Sequence, residues 1–231
     1  MAIQEPYQQP TFSDPSLVEN PEARCPVVLL LDTSGSMEGA PINELNLGLQ
    51  VFKDSLMADT LAMKRVEVAL VTFGPVQTLQ EFVTVDAFVP PILTAQSDTP
   101  MGSAILHGLD LLTARKSQYK ASGLAYYRPW IFLMTDGGPT DAWQEAARQV
   151  HVGEEKKSFM FFGVAVENAN LDVLRQIAPP SRPPLQLKGL AFRELFQWLS
   201  TSLKSVSQSR IDDTVKLPDP VAGPGGWATT T

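Results

Sequence analysis

The sequence predicts an α/β fold, a doubly wound and mostly parallel sheet with helices on both faces. Residues 27–31 and 130–134 are continuous apolar runs, typical of strands that are buried on both faces. Apolar side chains at helical spacing occur in residues 41–56, which lie between these runs, and in residues 192–206, which follow them. Strands that alternate with helices form parallel sheets covered on both sides, with right-handed connections. We therefore expect a Rossmann-like architecture.

The first half of the chain is predicted to form three strands and two helices. Pro41 fits the first turn of the first helix, where a backbone N–H is not needed. Gly74 and Pro75 mark a turn between the second and third strands, which favours an antiparallel hairpin. The predicted strands are residues 27–31, 66–73 and 78–85, and the predicted helices are residues 41–56 and 104–112.

The second half continues the alternation. Asp141 is predicted to be the N-cap of the helix that begins there. The last helix is amphipathic, with Phe192, Leu195, Phe196, Leu199 and Leu203 on one face. The predicted strands are residues 130–134, 158–166 and 184–187, and the predicted helices are residues 141–150, 171–177 and 192–206.

The 231 residues suffice for one sizeable domain with short tails. Residues 1–23 are polar and proline-spaced, which predicts an extended N-terminal arm, and residues 24–207 are predicted to form the domain. Residues 208–231 form a Pro/Gly-rich tail. Its last part, residues 212–231, is either a solvated end or a segment that folds on binding a partner or docks back on its own domain through Leu217, Val221 and Trp227. We expect its deletion to leave the melting temperature nearly unchanged while weakening partner capture.

Composition argues against several classes of function. The net charge is −7, and no cluster of Lys and Arg is longer than a pair, so a nucleic-acid partner is not expected. Cys25 is the only cysteine, which excludes an internal disulfide and indicates a reducing compartment. The N-terminus lacks the order of a signal peptide. Apolar runs are far shorter than the roughly 20 residues that span a bilayer. We expect a cytoplasmic protein with no membrane partner.

Oxygen-bearing side chains follow the predicted strands, where ligand sites of such sheets lie. Asp32, Ser34 and Ser36 follow the first strand, with Gly35 allowing a sharp turn, while Thr99 precedes a helix and Asp136 follows the strand at 130–134. All five donors are hard oxygens, which favours Mg²⁺, with Mn²⁺ or Ca²⁺ as alternatives, over zinc or copper. Five protein donors leave an octahedral ion one position for a carboxylate from elsewhere.

Simpler explanations exist for each of these motifs. Asp-x-Ser-x-Ser alone is common as a helix cap, and residues 135–141 alone could be a plain strand-to-helix turn. His107 and His151 lack metal-like neighbours and are interpreted as ordinary surface or boundary residues. Met37 is expected to pack in the interior, and Asp98 to be solvated. The five donors gain significance only because they meet at strand ends.

In order and context, Asp32, Ser34, Ser36, Thr99 and Asp136 resemble the metal-ion-dependent adhesion site of von Willebrand factor A domains. The resemblance covers roughly residues 24–207 and implies a six-stranded sheet with one antiparallel edge strand. It also implies Mg²⁺ at the top of the sheet and a partner protein that donates Asp or Glu, without enzymatic activity.

Two segments narrow the resemblance. Residues 99–104 and 133–141 are similar to the compact bacterial TerY-type or YegL-like branch, which is associated with tellurite resistance. That branch implies a cytoplasmic protein that acts alongside a PP2C-type phosphatase and a Ser/Thr kinase.

The leading alternative is a Mg²⁺-dependent phosphatase-like hydrolase with Asp32 as nucleophile. Such enzymes need a second acid two residues later, and Ser34 stands there, so the acid and base that the reaction requires are missing. Phosphate-binding Gly-rich loops and a Gly-x-Ser-x-Gly elbow are also missing from the sequence.

Overall fold

The computed structural model describes residues 17, 19–222 and 226–230, so most of the predicted N-terminal arm lies outside the described residues. Within these residues there are seven strands and six α-helices. The strands are β1 (Cys25–Asp32), β2 (Val66–Phe73), β3 (Gln77–Thr84), β4 (Trp130–Thr135), β5 (Met160–Ala165), β6 (Leu185–Leu187) and β7 (Ala228–Thr230). The helices are α1 (Ala40–Met57), α2 (Thr60–Arg65), α3 (Met101–Ala121), α4 (Gln144–Glu155), α5 (Leu171–Ile177) and α6 (Phe192–Gln208).

The strands form one sheet in the order β3-β2-β1-β4-β5-β6-β7. The inner pairs are parallel, whereas β3 is antiparallel to β2 and β7 is antiparallel to β6. The predicted α/β class and the hairpin between β2 and β3 are therefore confirmed. The predicted six strands with one antiparallel edge need correction, because β7 adds a seventh strand and a second antiparallel edge.

Two apolar cores lie on opposite faces of the sheet. Successive strand residues point to opposite faces, so Val27, Leu29 and Leu31 of β1 join one core, while Val28 and Leu30 join the other. Helices α1 and α6 cover the first face, and α3, α4 and α5 cover the second. Burial on both faces explains why β1 reads as a continuous apolar run. The apolar face of α6 is fully buried, as its amphipathic pattern predicts.

Three helices differ from the sequence expectation by more than one or two residues at an end. Helix α2 was not predicted; its six residues are fixed at the start by Asp59, whose carboxylate accepts from the amides of Leu61 and Ala62. Helix α3 extends well beyond the predicted residues 104–112 in both directions. The helix predicted to begin at Asp141 begins instead at Gln144.

The C-terminal segment packs against the domain. Trp227 is 1% exposed and contacts Trp198 with ring centroids 5.6 Å apart. The indole N–H of Trp198 donates to the Pro218 carbonyl at 2.8 Å, and Lys188 Nζ donates to the Gly226 carbonyl at 2.9 Å. Of the alternatives that the sequence left open, the structure has the segment docked on its own domain. Because the segment is docked, we now expect its removal to destabilise the domain.

A buried ion cluster ties the amino-terminal ends of the inner strands to α3. The Glu67 carboxylate of β2, 1% exposed, accepts from Arg24 Nε at 2.8 Å and from Arg115 Nε at 2.8 Å. Tyr119 donates its hydroxyl to the same carboxylate. This cluster lies at the amino-terminal ends of the strands, whereas the candidate site lies at their carboxyl ends.

None of the helices in the described part of the chain has the length and apolar character needed to span a membrane.

Candidate metal centre

The candidate site lies where β1 and β4 end side by side. Asp32 is the last residue of β1, and Asp136 directly follows Thr135, the last residue of β4. The two strands are parallel neighbours, with Leu31 opposite Met134. The chain leaves β1 towards α1 on one face of the sheet and leaves β4 towards α4 on the other. Such a switch point opens the crevice in which doubly wound sheets bind ligands.

Asp32 is completely buried, and both of its carboxylate oxygens accept hydrogen bonds. Oδ1 accepts from the Ser34 amide at 2.8 Å, and Oδ2 accepts from the Thr135 hydroxyl. Burial raises the pKa of Asp32, the hydrogen bonds from Ser34 and Thr135 oppose that rise, and the nearby Asp136 charge adds to it. A group buried in this way gains from a nearby positive charge.

A chain of hydroxyl groups connects the β1 loop to the second carboxylate. A short 3₁₀ turn, Gly35–Met37, follows β1 and holds Ser36 towards β4. The Ser34 and Ser36 hydroxyl oxygens are 3.1 Å apart, and the Ser36 hydroxyl donates to Asp136 Oδ1 at 2.7 Å. Burial raises the pKa of Asp136, with the Ser36 hydrogen bond acting in the opposite direction.

Thr99 reaches the same place from the segment before α3. It is 6% exposed, and a Cβ added at Gly137 would lie 3.5 Å from its hydroxyl oxygen and 4.0 Å from the Ser36 hydroxyl oxygen. The Thr99 amide donates to the Thr140 hydroxyl at 3.1 Å, and the Thr140 amide donates to the Thr99 carbonyl at 2.9 Å. The structure thus brings together all five residues that the sequence singled out: Asp32, Ser34, Ser36, Thr99 and Asp136.

Backbone hydrogen bonds join the loops that carry these side chains. The Gly35 amide donates to the Ser97 carbonyl at 3.0 Å, and the Gln96 amide donates to the Thr33 carbonyl at 2.7 Å. Gly74 is left-handed with φ +111°, and a Cβ there would lie 2.8 Å from the Asp98 carbonyl oxygen and 2.9 Å from the Ser34 amide nitrogen. The sequence predicts only a turn at Gly74, whereas in the structure its missing side chain allows the loops to meet.

Asp141 has a different role from the predicted one. Its carboxylate accepts from the amides of Gly102 and Ser103 at 2.9 and 2.7 Å, and from the Ser103 hydroxyl at 2.7 Å. It therefore caps α3, which Thr99 precedes, instead of the helix that follows it in sequence. The prediction that Asp141 caps a helix is confirmed, but the helix that it caps is α3 and not the one that follows it in sequence.

Thr135 is a further site residue that the sequence analysis did not single out. Its hydroxyl donates to Asp32 Oδ2 and accepts from the Gly137 amide at 3.2 Å. It thereby fixes both the first carboxylate and the turn after β4. The sequence signal that could have identified Thr135 is its position at the end of an apolar strand, directly before Asp136.

The remaining predicted residues lie as follows. Met37 is 1% exposed and packs in the apolar core, as expected. His107 is exposed and shares a hydrogen bond of 2.7 Å with the Thr78 hydroxyl, while His151 Nε2 lies 3.2 Å from the Ala178 carbonyl oxygen. Asp98 is exposed and accepts from the adjacent Ser97 hydroxyl at 2.8 Å.

The charge balance of the site fits a divalent cation. Asp32 and Asp136 are buried, and none of the ion pairs among the described residues involves either carboxylate. Nor do the described residues contain a metal-like group of three or more His, Cys, Asp or Glu side chains, so the hydroxyl groups must complete any donor set. Carboxylate and hydroxyl oxygens are hard donors that suit Mg²⁺, Mn²⁺ and Ca²⁺.

A match to a protein-family model shows the family to which the chain belongs. The family model of the von Willebrand factor type A domain matches residues 27–193, which is most of the sequence. The chain belongs to this family. Such VWA domains generally mediate metal-dependent protein interactions and are typically not enzymes. No curated protein matches the sequence significantly.

Several solved structures share the fold of this chain. Proximal thread matrix protein 1 from the mussel byssus is 19% identical, with a TM-score of 0.54 over 79% of this chain and 48% of its own. The pilus adhesin SpaC from Lactobacillus rhamnosus GG is 14% identical, with a TM-score of 0.62 over 80% of this chain and 30% of its own. The SpRpn10 VWA domain is 12% identical, with a TM-score of 0.50 over 71% of this chain and 87% of its own.

These likenesses concern the fold alone. The chain spans about half the length of the mussel protein and less than a third of the pilus adhesin.

Proposed function

We propose that this VWA domain binds one divalent cation, Mg²⁺ first and Mn²⁺ or Ca²⁺ as alternatives, and uses it to capture an acidic residue of a partner protein. The proposed ligands are Asp32, Ser34, Ser36, Thr99 and Asp136. One observation carries the proposal: two buried carboxylates from adjacent strands are joined through hydroxyl groups, with no basic side chain paired to either in the described residues.

The partner chemistry follows from the same charge count. Two carboxylates neutralise a doubly charged ion, and hydroxyl groups add no charge. Five protein donors leave one octahedral position, which an Asp or Glu of the partner would take in place of water. When bound, the ion supplies a charge contact at a site with few competing ligands. The residues of this chain orient the ion and contribute no proton transfer.

The hydrolase alternative lacks support from the site. A nucleophilic carboxylate must be able to reach a substrate phosphorus, whereas Asp32 is fully buried and both its oxygens accept hydrogen bonds. Ser34 stands where the acid and base residue would be needed. A phosphatase assay with and without Mg²⁺ is expected to show no metal-dependent turnover.

A narrower proposal rests on the resemblance of residues 99–104 and 133–141 to the TerY-type bacterial branch. It assigns the chain to the bacterial cytoplasm, in a tellurite-resistance system with a PP2C-type phosphatase and a Ser/Thr kinase. Binding of either purified enzyme in Mg²⁺, with loss of binding in chelator, would support this assignment.

Calorimetry tests the ion itself. Mg²⁺ or Mn²⁺ should bind the wild-type protein, and Asp32→Ala should abolish binding, because it removes one of the two charges that hold the ion. Ca²⁺ should bind less tightly, since it prefers six to eight oxygens in looser geometry. Asp98→Ala is the matched control, because Asp98 is an exposed acid next to Thr99 and should leave the affinity unchanged. Equal affinities for wild type and Asp32→Ala would contradict the proposed ligand set.

Partner capture is tested by a pull-down from the native cell in Mg²⁺ and in chelator. Chelator should abolish the complex, and Asp136→Ala or Ser34→Ala should act like chelator while the domain stays folded. Because the chain is net negative, raising the salt concentration should not weaken binding of an acidic partner at this site. Undiminished capture by a domain shown to be metal-free would mean that another surface is used.

A further inference from the structure

A groove of about 310 Å³ runs between α3 and α4, on the face of the sheet that these helices cover. Its floor is apolar and is formed by Leu109, Leu112, Val152 and Phe159. The Phe159 ring packs directly against α4 at Gly153, where a Cβ would lie 2.2 Å from the ring. The groove therefore has a narrow apolar floor between α3 and α4, since Leu109, Leu112 and Phe159 are each more than 90% buried.

Cations surround this floor. Lys116, Arg148 and Lys156 line the groove, and none of the described residues that line it is Asp or Glu. A second groove of about 400 Å³ adjoins it, shares Lys116 and Ser158, and adds Lys157 and Arg128. Among the described residues that line the two grooves, Asp212 is the only acid. This basic surface lies on a chain whose net charge is −7.

Three of these cations have no anionic partner in the described part of the chain. Arg148 pairs with Glu145, and Arg128 pairs with Glu154, but none of the ion pairs involves Lys116, Lys156 or Lys157.

Lys116 is the most constrained of the three lysines. Its Nζ donates to the Ser158 carbonyl at 3.2 Å, a neutral acceptor. Burial lowers the pKa of Lys116, and the neighbouring Lys120 charge lowers it further. An anion placed in the groove would oppose both effects.

We propose that the groove, defined by Leu109, Leu112, Lys116, Val152, Lys156 and Phe159, binds a short acidic peptide segment of a partner protein. An apolar side chain of the segment would lie on the floor, with carboxylates on either side against Lys116 and Lys156. Charge complementarity supports this occupant, because the lysines lack carboxylates of their own. Nucleic acid is a poorer fit, since its phosphates need a broad basic footprint and the space between the cations is apolar.

This surface is separate from the metal centre. Lys116 lies fifteen residues after Met101, the first residue of α3 beside Thr99, which is about 22 Å along the helix axis at 1.5 Å per residue. Both surfaces can therefore be occupied at once. Their salt dependence also differs, because added salt should weaken peptide binding to Lys156, which is exposed, and to Lys116, which is partly buried, but not capture at the ion.

Fluorescence anisotropy tests the proposal on the full chain, with a fluorescein-labelled dodecapeptide made of Glu-Leu-Leu-Glu repeats. We expect saturable binding at low salt, with the same affinity in Mg²⁺ and in chelator. Binding should weaken in 0.5 M salt, because the salt screens the interaction between the lysines and the peptide carboxylates. Lys116→Glu combined with Lys156→Glu should weaken binding by about tenfold or more. Lys53→Glu combined with Lys204→Glu is the matched control, since it changes the net charge equally on α1 and α6 and should leave the affinity within about twofold.

Two further arms keep the result decisive. Should the Lys116 variant fail to fold, Lys156→Glu combined with Lys157→Glu replaces two exposed side chains and should weaken binding in the same direction. A peptide with Lys in place of Glu should not bind. Absence of binding, equal losses in the matched control, loss of binding in chelator, or tighter binding of a labelled uridine 20-mer would each overturn the proposal.

Discussion

The hydroxyl of Thr135 is expected to hold the candidate site together, and Thr135→Val tests this with almost no change in shape. The substitution removes the donor to Asp32 Oδ2 and the acceptor of the Gly137 amide. A hydrogen bond to a charged group contributes about 1.5–3 kcal/mol, and a neutral one about 0.5–1.5 kcal/mol. With both lost, the free energy of unfolding should fall by about 2–4 kcal/mol at pH 8, where Asp32 is more fully ionised.

Urea unfolding in chelator measures that loss, and calorimetry measures the accompanying fall in Mg²⁺ affinity. Thr135→Ser keeps the hydroxyl and should restore most of both. Thr33→Val is the matched control, because the buried Thr33 hydroxyl donates to a neutral acceptor, the Phe73 carbonyl, at 3.3 Å. Its cost should be about 1 kcal/mol with Mg²⁺ affinity retained. If Thr135→Val costs no more than Thr33→Val, or leaves Mg²⁺ affinity intact, the positioning role of Thr135 is refuted.

Three other predictions concern stability. Glu67→Ala should lower the free energy of unfolding by about 3–5 kcal/mol, because it strands the buried Arg24 guanidinium without its carboxylate; a loss below about 1 kcal/mol in urea unfolding would contradict this. In chelator, stability should fall as pH rises above about 4, because burial raises the pKa of Asp32 and Asp136 so that the folded state binds more protons than the unfolded chain. Mg²⁺ should remove this slope in urea titrations between pH 4 and 8, and a flat profile in chelator would argue against it. Trp227→Ala should lower the free energy of unfolding by about 3 kcal/mol, because it removes a buried side chain. Trp227→Phe should lower it less, because the buried indole N–H has no partner among the described residues and its removal breaks no hydrogen bond there. An unchanged melting temperature for Trp227→Ala would show that the docked segment does not stabilise the domain.

Burial on both faces made the inner strands predictable. A strand such as β1 contributes to two cores at once, so nearly every residue must be apolar, and the run is visible without any partner. The positions of the five oxygen donors followed from the same strands, because ligand sites of this fold lie at the strand ends. Their convergence is therefore a consequence of strand order, whereas metal binding by them is the proposal.

Features that depend on distant contacts were not predictable in this way. Strand β7 is three residues long and is placed by Trp227, whose partner Trp198 lies in α6. The Asp141 cap resembles a local signal but acts on α3, about 40 residues earlier in the chain, because the loops before α3 and after β4 pair. Gly74 and Thr135 also act across long stretches of sequence. A Cβ at Gly74 would meet the amide of Ser34, about 40 residues earlier, and Thr135 donates to Asp32, 103 residues earlier.

Hydroxyl groups give the candidate site a property that basic side chains could not. A serine or threonine hydroxyl can donate one hydrogen bond and accept others, and its hydrogen can rotate. The Ser36 hydroxyl therefore stabilises Asp136 by donation at 2.7 Å and still has lone pairs to offer a cation. A Lys or Arg at that position would neutralise the carboxylate permanently and exclude the ion, since neither side chain has an acceptor. The hydroxyl set instead leaves both carboxylates short of positive charge, which is the condition under which a divalent ion and an acidic partner can bind together.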